Sequence, residues 1–594
     1  MEQEPNSVDD PLVHKRHSAA HLLAATVLEM YPGTKFGMGP TIDDGFYYDF
    51  EFPVGTAVSE KDLPKIQKRL KKKIQQKTEF VGEPLSHKKA QSLFKDQPYK
   101  LELMNDITER GEEASLWTSG DFSDICKGGH VETSKEIPID GLKLHRIAGA
   151  YWKGDEKNPM LTRIYGLLFS TKDELDTYIE RVEDAKNRDH RKLGKELDLF
   201  MFADLVGKGL PMFTERGATI RRELERAIVD EEIRRGYKHV HTPDLANVDL
   251  YRTSGHYPYY KDTMYSPIAV DDEEIILRPM SCPHHFMMYQ HKPHSYKELP
   301  IRLGELAKLY RYEKSGELTG LMRVRGFCLA DAHIFATEDQ AKDEIIGVLD
   351  LIEYFAHIFG LKRGEDYSFR LSLGDRNNEE KYYKNDEKWD VGEETLRQAL
   401  KDLKAPFIEV EDEAAFYGPK IDVQMRNVLG KEDTAFTVQY DFYLPERFEI
   451  AYIDEEGKEQ RPVVIHRSSI GAIERTMAFL IEHYAGEFPL WLSPSHVAIL
   501  SVGESHKQYC EELATMLTNE SIRVDLDVSD ETVGNKIRKN VKLKTPYILV
   551  IGDKEMGSKD LMVRKRGEDS AVQVNKEDFI TGLKKRISEK ALDL

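Results

Sequence analysis

Near the middle of the chain stands a group of side chains suited to phosphate chemistry. Arg311 and Glu313 lie two residues apart, Arg323 and Arg325 follow, then Phe327, and His333 comes six residues later. Arginine forks fit phosphate and carboxylate oxygens bidentately, and a phenyl face can stack on a base. The set reads as one for handling a nucleotide. A second group stands near the start. His17 and His21 are four apart, which a helix would place on one face. Further on, Cys126 and His130 form a CxxxH whose Gly128 and Gly129 suggest a tight loop rather than a helix. Two histidines, a thiol and a third histidine also make a plausible zinc quartet. In a chain with 32% charged residues, most neighbouring Arg-Glu pairs are solvated surface, so neither group identifies itself unaided.

The elements that must carry these groups are partly legible. The stretch Glu313 to Gly320 reads as a turn joining two antiparallel strands, because its flanks are rich in β-formers and its middle in Gly and Ser. From His14 the apolar residues Leu22, Leu23, Val27 and Leu28 recur at helical spacing. A Lys-rich helix from about Ser59 to Lys77 reads as a solvated face, and Thr171 to about Lys195 as a charged linker helix. A helix from Ile220 to Arg235 feeds the stretch Gly236 to Pro243. Past Pro494, strand-like Val497–Val502, Ile522–Val528 and Tyr547–Ile551 alternate with helical Cys510–Leu517 and Ile537–Leu543, an α/β pattern with a mixed or parallel sheet.

A length of 594 residues implies several domains, each with its own core. There is no long apolar run and no signal-like segment at the acidic N-terminus, so nothing argues for a membrane. The four cysteines have no framework spacing and fit a reducing cytoplasm, so we expect a cytoplasmic protein. A net charge of −20 argues against a general nucleic-acid coat protein. It does not exclude a local site: from Trp491 onward 17 basic residues balance 17 acidic ones, with basic clusters at Lys536–Lys539, Lys542, Lys544 and Arg564–Arg566. A solvated surface remains the alternative for any one of these lysines.

Arg311-Tyr-Glu313 followed by Met322-Arg-Val-Arg-Gly-Phe327 resembles motif 2 of the class II aminoacyl-tRNA synthetases. Its continuation, Asp331-Ala-His-Ile-Phe335, narrows the likeness to the threonyl-tRNA synthetases. The stretch around Gly236–Pro243 resembles motif 1, and Ser469-Ile-Gly471-Ala-Ile-Glu-Arg475 resembles motif 3. Gly45-Phe-Tyr-Tyr-Asp49, Pro98-Tyr-Lys100, Ala148–Asp155 and Leu161–Gly166, with the two histidine groups, are similar to that family's editing domain. Thr545–Glu555 resembles its anticodon-binding domain. With matches from about His14 to the C-terminus, the chain is identified as a member of that family, of bacterial type, and is expected to lack the small additional N-terminal domain.

The resemblance implies an α+β multidomain fold. A loose tail occupies 1–12, an N-terminal α+β editing domain 13–170, a linker helix 171–197, a class II catalytic domain on an antiparallel sheet 198–492, and a C-terminal α/β anticodon-binding domain 493–594. It also implies ATP-dependent ligation of threonine to its tRNA through the adenylate, with hydrolytic editing of seryl-tRNA. By residue match, Arg311, Arg323 and Arg475 would be catalytic and, with Glu313 and Phe327, would bind ATP and its Mg²⁺. Asp331, Tyr417 and Gln439 would bind threonine, and Cys282, His333 and His466 would hold one Zn²⁺ per protomer. Three protein ligands leave a position open, the mark of a working rather than a structural zinc. His17, His21, Tyr48, Lys100, Asp124, Cys126 and His130 would edit, and Lys554, Glu555, Arg564 and Arg566 would face the tRNA. Motif 1 implies a homodimer.

The chain departs from the family at several positions. Leu329-Ala330 stands where Gln-Asp is usual, Asp433-Thr434 replaces a Trp-Gln pair, and Ser281 and His284 replace Asn and Gly beside Cys282. A leucine cannot replace an amide's hydrogen bonds. A synthetase-like tRNA-binding regulator without aminoacylation activity is the rival reading from another class.

Overall fold

The computed structural model describes residues 11–568 and 570–594. Most of the tail expected over 1–12 therefore lies outside the described residues, and 11 and 12 already belong to the first helix. The chain divides into two compact units, 1–183 and 184–594.

In the first unit, helix α1 (Pro11–Met30) packs on a five-stranded antiparallel sheet. The long strands of that sheet are β1 (Gly45–Glu51), β5 (Leu142–Tyr151) and β6 (Met160–Leu168), in the order β1-β6-β5. Helix α2 (Leu63–Gln75) occupies the Lys-rich stretch, after one 3₁₀ turn at Glu60–Asp62. It is more than a solvated face: Leu63, Ile66, Leu70 and Ile74, at spacings of three and four, are buried against α1 and the sheet. The strands β2 (Phe80–Pro84), β3 (Ser115–Ser119) and β4 (Phe122–Ile125) form a separate antiparallel sheet, and helix α3 (Pro98–Glu109) carries Lys100.

The expected linker helix is two helices, α4 (Lys172–Arg188) and α5 (His190–Glu196). The break falls at Asp189, whose backbone leaves the helical region and whose carboxylate accepts from Arg191 N. The division between the units falls inside α4.

The second unit is built on an eight-stranded sheet. Helix α6 (Glu215–Arg234), capped by Thr214, precedes the short strand β7 (Lys238–His239). Helix α7 (Cys282–Gln290) precedes β8 (Ile301–Tyr310) and β9 (Gly326–Ala336). Helix α8 (Glu338–Ile358) and helix α9 (Asp386–Asp402) accompany β10 (Tyr367–Ser372), β11 (Phe407–Val410), β12 (Lys420–Arg426), β13 (Glu432–Asp441) and β14 (Val463–Ala472). Helix α10 (Ile473–His483) follows. The strand order is β7-β8-β9-β14-β13-β12-β10-β11, antiparallel except for the outermost pair at each edge. This is the antiparallel core expected. Strand β14 is buried over nearly its whole length, as a central strand covered on both faces should be.

The β8–β9 pairing ends at Tyr310 opposite Gly326, so the connection spans 311–325 rather than 313–320. Arg311, Glu313, Arg323 and Arg325 all lie on this loop, not on the strands.

The last part is a mixed five-stranded sheet with the order β16-β15-β17-β18-β19. Its strands are β15 (Val497–Ser501), β16 (Val524–Asp527), β17 (Tyr547–Ile551), β18 (Asp560–Lys565) and β19 (Val572–Asn575). The first three run parallel and the last two antiparallel. Helix α11 (Lys507–Asn519) and helix α12 (Val533–Lys542) follow the predicted alternation. No helix among the described residues is long and apolar enough to cross a membrane.

Candidate functional site

Strand register builds the centre of the second unit. His333 on β9 stands directly opposite His466 on β14, and Gln439 on β13 is the next partner of His466. Two histidines far apart in sequence are thereby placed face to edge, with ring centroids 4.5 Å apart. Cys282 enters from the first turn of α7, where Pro283 suits the helix start. The possible ligand atoms of Cys282, His333 and His466 all lie within 4.8 Å of one another, and all three residues are buried. One soft sulfur and two imidazoles, packed this closely, fit a zinc-like ion.

The surroundings of the triad are polar and ordered. His466 Nε2 lies 2.7 Å from Asp441 Oδ2, and His333 Nδ1 lies 2.8 Å from His285 Nδ1. Tyr417 stacks on His466 at 5.0 Å and donates its hydroxyl to Gln439. Asp331, two residues before His333 and so on the same strand face, accepts from Ser281 Oγ. Burial raises the Asp331 carboxyl above its ordinary range, and the Ser281 bond offsets part of that. The three threonine-binding candidates thus gather around the three metal candidates. His284 is not among the possible ligands; its ring lies 6.4 Å from Tyr251.

The arginine group adjoins this centre. The Arg311 guanidinium lies 5.3 Å over the Phe327 ring and makes no side-chain hydrogen bond among the described residues. Burial, then the nearby Arg475 charge, lower its affinity for a proton. Arg323 donates to Glu313 at 2.8 Å and is half-exposed. Arg475 donates to the carbonyls of Met322 and Thr434. Like charges held together in a partly buried place are a seat for a polyanion. Asp331 Oδ2 stands 4.0 Å from His333 Nε2, and the strand β9 that carries both also carries Phe327, over which Arg311 lies, so one strand brings the arginine group beside the triad.

Two of the departures have a structural account. Leu329 joins a small apolar cluster with Ala307, Leu309, Val324, Phe327 and Ala472. Asp433 supports the Arg475 charge, and Thr434 accepts from Gln424 at 2.7 Å.

The first unit holds its own cleft of about 520 Å³, lined among others by His17, His21, Lys100, Asp124 and Cys126. Asp124 is its hub: Lys100 Nζ lies 2.5 Å from Oδ1, Tyr48 donates to Oδ2, and His21 Nε2 stands 3.8 Å away. His130 stacks on His17 at 4.2 Å, and its Nε2 is 3.2 Å from Cys126 Sγ. Gly128 and Gly129, at φ +91° and +78°, make the tight loop that returns His130 to the cleft. Burial lowers the pKa of His17, His21 and His130, so the imidazoles are neutral. Burial likewise pushes the Cys126 thiol up to about 12. All seven editing candidates come together. His17, His21, Cys126 and His130 also form a possible metal group.

The tRNA candidates part company. Lys554 and Glu555 lie on the single-turn helix Asp553–Met556, where Lys554 is exposed and Glu555 accepts from Gly552 N. Arg564 is half-buried on β18. Arg566 is engaged elsewhere: its guanidinium donates to the carbonyls of Lys544, Glu487 and Phe488, a strut between the α/β part and the chain before it. Lys536, expected in a tRNA-facing cluster, is buried with its ammonium on Ser501 O and Oγ.

The sequence assigned no individual role to His285, Glu305, Asp441 or His190. Glu305 did leave a signal, a charged residue among Leu303, Ala307 and Leu309 on the buried face of β8. His190 left none; it is buried, lies 2.7 Å from Glu482 Oε1 and accepts from Leu321 N on the β8–β9 loop.

Comparison with known proteins bears on all of these regions. The model of the tRNA synthetase class II core domain (G, H, P, S and T) matches residues 265–484. That of the anticodon binding domain matches 496–586, and that of the threonyl and alanyl tRNA synthetase second additional domain matches 115–165. A threonine–tRNA ligase of Geobacillus sp. (strain WCH70) is 48% identical over 575 residues, 96% of this chain and 88% of that protein. Threonine–tRNA ligase 1 of Bacillus subtilis (strain 168) is 46% identical, over 97% of this chain and 88% of that protein. A crystal structure titled as the RNA binding domain of threonyl-tRNA synthetase from Cryptosporidium parvum Iowa II superposes with a TM-score of 0.64 at 34% identity, covering 68% of this chain and 99% of that one.

Proposed function

The chain belongs to the threonine–tRNA ligase family of the class II aminoacyl-tRNA synthetases, and on that premise we propose how its own residues divide the work. The reaction is ATP-dependent ligation of threonine to tRNA, with Mg²⁺ accompanying the nucleotide. The carrying observation is that one strand, β9, holds Phe327 beneath Arg311 and, six residues on, His333 of the buried Cys-His-His group. ATP lies along the arginines, with Arg311 on the α-phosphate and Arg323 and Arg475 toward the outer phosphates. Glu313 and Phe327 take the adenine. Fixed charge aimed at the phosphorus undergoing attack is the largest single source of rate in such sites.

Cys282, His333 and His466 would hold the zinc, which when bound supplies a Lewis-acid contact that a hydroxyl-bearing amino acid can satisfy and valine cannot. Asp331, Tyr417 and Gln439 line the seat of the amino acid and set its orientation. Serine passes this filter. It lacks only a methyl, worth about 1–3 kcal/mol or roughly 10–200-fold, so a second site must remove the product.

The cleft around Asp124 is that second site, and it hydrolyses without a metal. Lys100, held at Asp124, stabilises the developing oxyanion, while the neutral histidines and the ribose hydroxyl of the ester position water. Two observations favour this reading over zinc: His17 and His130 lie face to face rather than edge-on toward one point, and a cationic lysine shares the cleft. The working protein is a homodimer through the α6–β7 region. The domain bounds 13–170, 198–492 and 493–594, and Lys554 and Arg564 as tRNA contacts, complete the reading. Threonine-dependent ATP–pyrophosphate exchange tests it. Exchange with threonine and release of serine from pre-made seryl-tRNA are expected; tRNA binding with neither activity would favour the regulator.

A further inference from the structure

A buried chain of polar side chains runs from β8 to the metal candidates. Glu305 accepts from Thr242 N at 2.9 Å, Thr242 Oγ1 at 2.8 Å, Arg278 Nη1 at 3.3 Å and His285 Nε2 at 3.2 Å. The far side of His285 meets His333, Nδ1 to Nδ1, at 2.8 Å. Glu305, His285 and His333 are 2%, 0% and 1% exposed.

Two ring nitrogens at that separation share one proton, so one donates and the other accepts. Burial drives the Glu305 carboxyl up, but the bonds from His285 and Thr242 and the Arg278 charge outweigh it and hold it down at about 2. Glu305 is therefore an acceptor only, and His285 presents it with Nε2–H. With its Nε2 proton on Glu305, His285 turns the lone pair of Nδ1 to the other ring, so the proton between the rings belongs to His333 Nδ1 and the lone pair of His333 Nε2 is left free.

We propose that Glu305 and His285 are positioning residues which, as a carboxylate–imidazole relay, hold the metal ligand His333 in the tautomer that binds an ion through Nε2. The proposal rests on the reading that Cys282, His333 and His466 hold zinc. His466 has a shorter anchor of the same kind, its Nε2 on Asp441, which leaves Nδ1 for the ion. The two histidine ligands thus approach through different nitrogens, one anchored directly by a carboxylate and the other through a second imidazole. Partners of this kind typically contribute about 10–100-fold to metal affinity.

The test uses the purified full-length chain and zinc alone as probe, with affinity measured by chelator competition and with KM values for threonine and ATP from pyrophosphate exchange. His285→Leu is expected to weaken zinc binding about 10–100-fold and to raise the threonine KM while leaving the ATP KM unchanged. His285→Gln, whose amide oxygen can accept from His333 Nδ1–H, should recover part of both. Wild-type zinc affinity and threonine KM in His285→Leu overturn the relay while leaving the zinc reading standing. If circular dichroism shows that His285→Leu does not fold, Glu305→Gln decides: weakened zinc binding supports the relay and unchanged binding overturns it. Wild-type protein that takes up no zinc, or Cys282→Ser that binds it normally, overturns both readings together.

Discussion

At the scale of single residues, the site asks for a charge or a donor atom at fixed points, and each can be removed separately. Cys282 supplies the one sulfur of the triad. Cys282→Ser should lose the zinc and with it most threonine activation, measured by metal analysis and pyrophosphate exchange; a full complement of metal with unchanged activation would remove the assignment. Arg311 and Arg475 are the partly buried arginines of the proposed phosphate seat. Alanine at either should slow adenylate formation by about 10²–10³-fold, the usual effect of deleting one preorganised donor. Release of serine from seryl-tRNA should survive in both, because its residues lie in the other compact unit. Loss of both activities together would indicate a collapsed fold.

At the scale of elements, the position of Arg475 depends on how α10 begins. Gly471 sits at φ +71° where β14 turns into the helix, and a Cβ there would stand 2.2 Å from the Ala435 carbonyl oxygen. Neither the backbone nor that carbonyl can yield cheaply, since left-handed backbone costs a substituted residue about 1–2 kcal/mol and the overlap adds to it. Gly471→Ala should therefore lower the melting temperature and raise the KM for ATP. Gly347 is exposed inside α8 with open space where its Cβ would be. Gly347→Ala, the control, should stabilise by about 0.5–1 kcal/mol with kinetics unchanged. Equal melting points for the two variants would refute this account of the α10 start.

At the scale of the whole molecule, acid should unfold it early. Burial lowers the pKa of His17, His21 and His130 in the first unit, and takes His256 to about 3 and His496 to about 2 in the second. In the unfolded chain these groups titrate near about 6.5. The folded values are lower, so between the two the unfolded state binds more protons. The stability they contribute is complete above about 6.5 and is lost as pH falls toward the folded values, each group adding up to about 1.4 kcal/mol per pH unit. Thermal melts between pH 8 and pH 5 should show a flat upper range and a falling limb below about 6.5; a melting point that rises on acidification would contradict the neutral burial of these histidines. Light scattering of the intact chain should give a dimer mass, and a monomer at micromolar concentration would remove the proposed α6–β7 interface.

The sequence by itself supplied the candidate side chains, because each motif carries its residue types close together in the chain: Arg311 with Glu313, Gly471 with Arg475, His17 with His21. It determined most of the C-terminal alternation as well, since strand and helix periods are local properties. Where a charged stretch breaks was not legible, because Asp189 can lie inside a helix or cap one, and only the burial of His190 against Glu482 and the β8–β9 loop decides between them. Basic residues were misread for the same reason. Lys536 and Arg566 look like solvated positive charge in the chain, yet one fills the core of the last domain and the other ties its backbone to the preceding one. The triad and its relay belong to the tertiary structure most fully: register between β9 and β14 sets His333 against His466, and the packing of α7 on β8 sets His285 between Glu305 and His333. No spacing along the chain encodes these meetings, because strand register is fixed by burial of whole faces and by hydrogen bonding across the sheet.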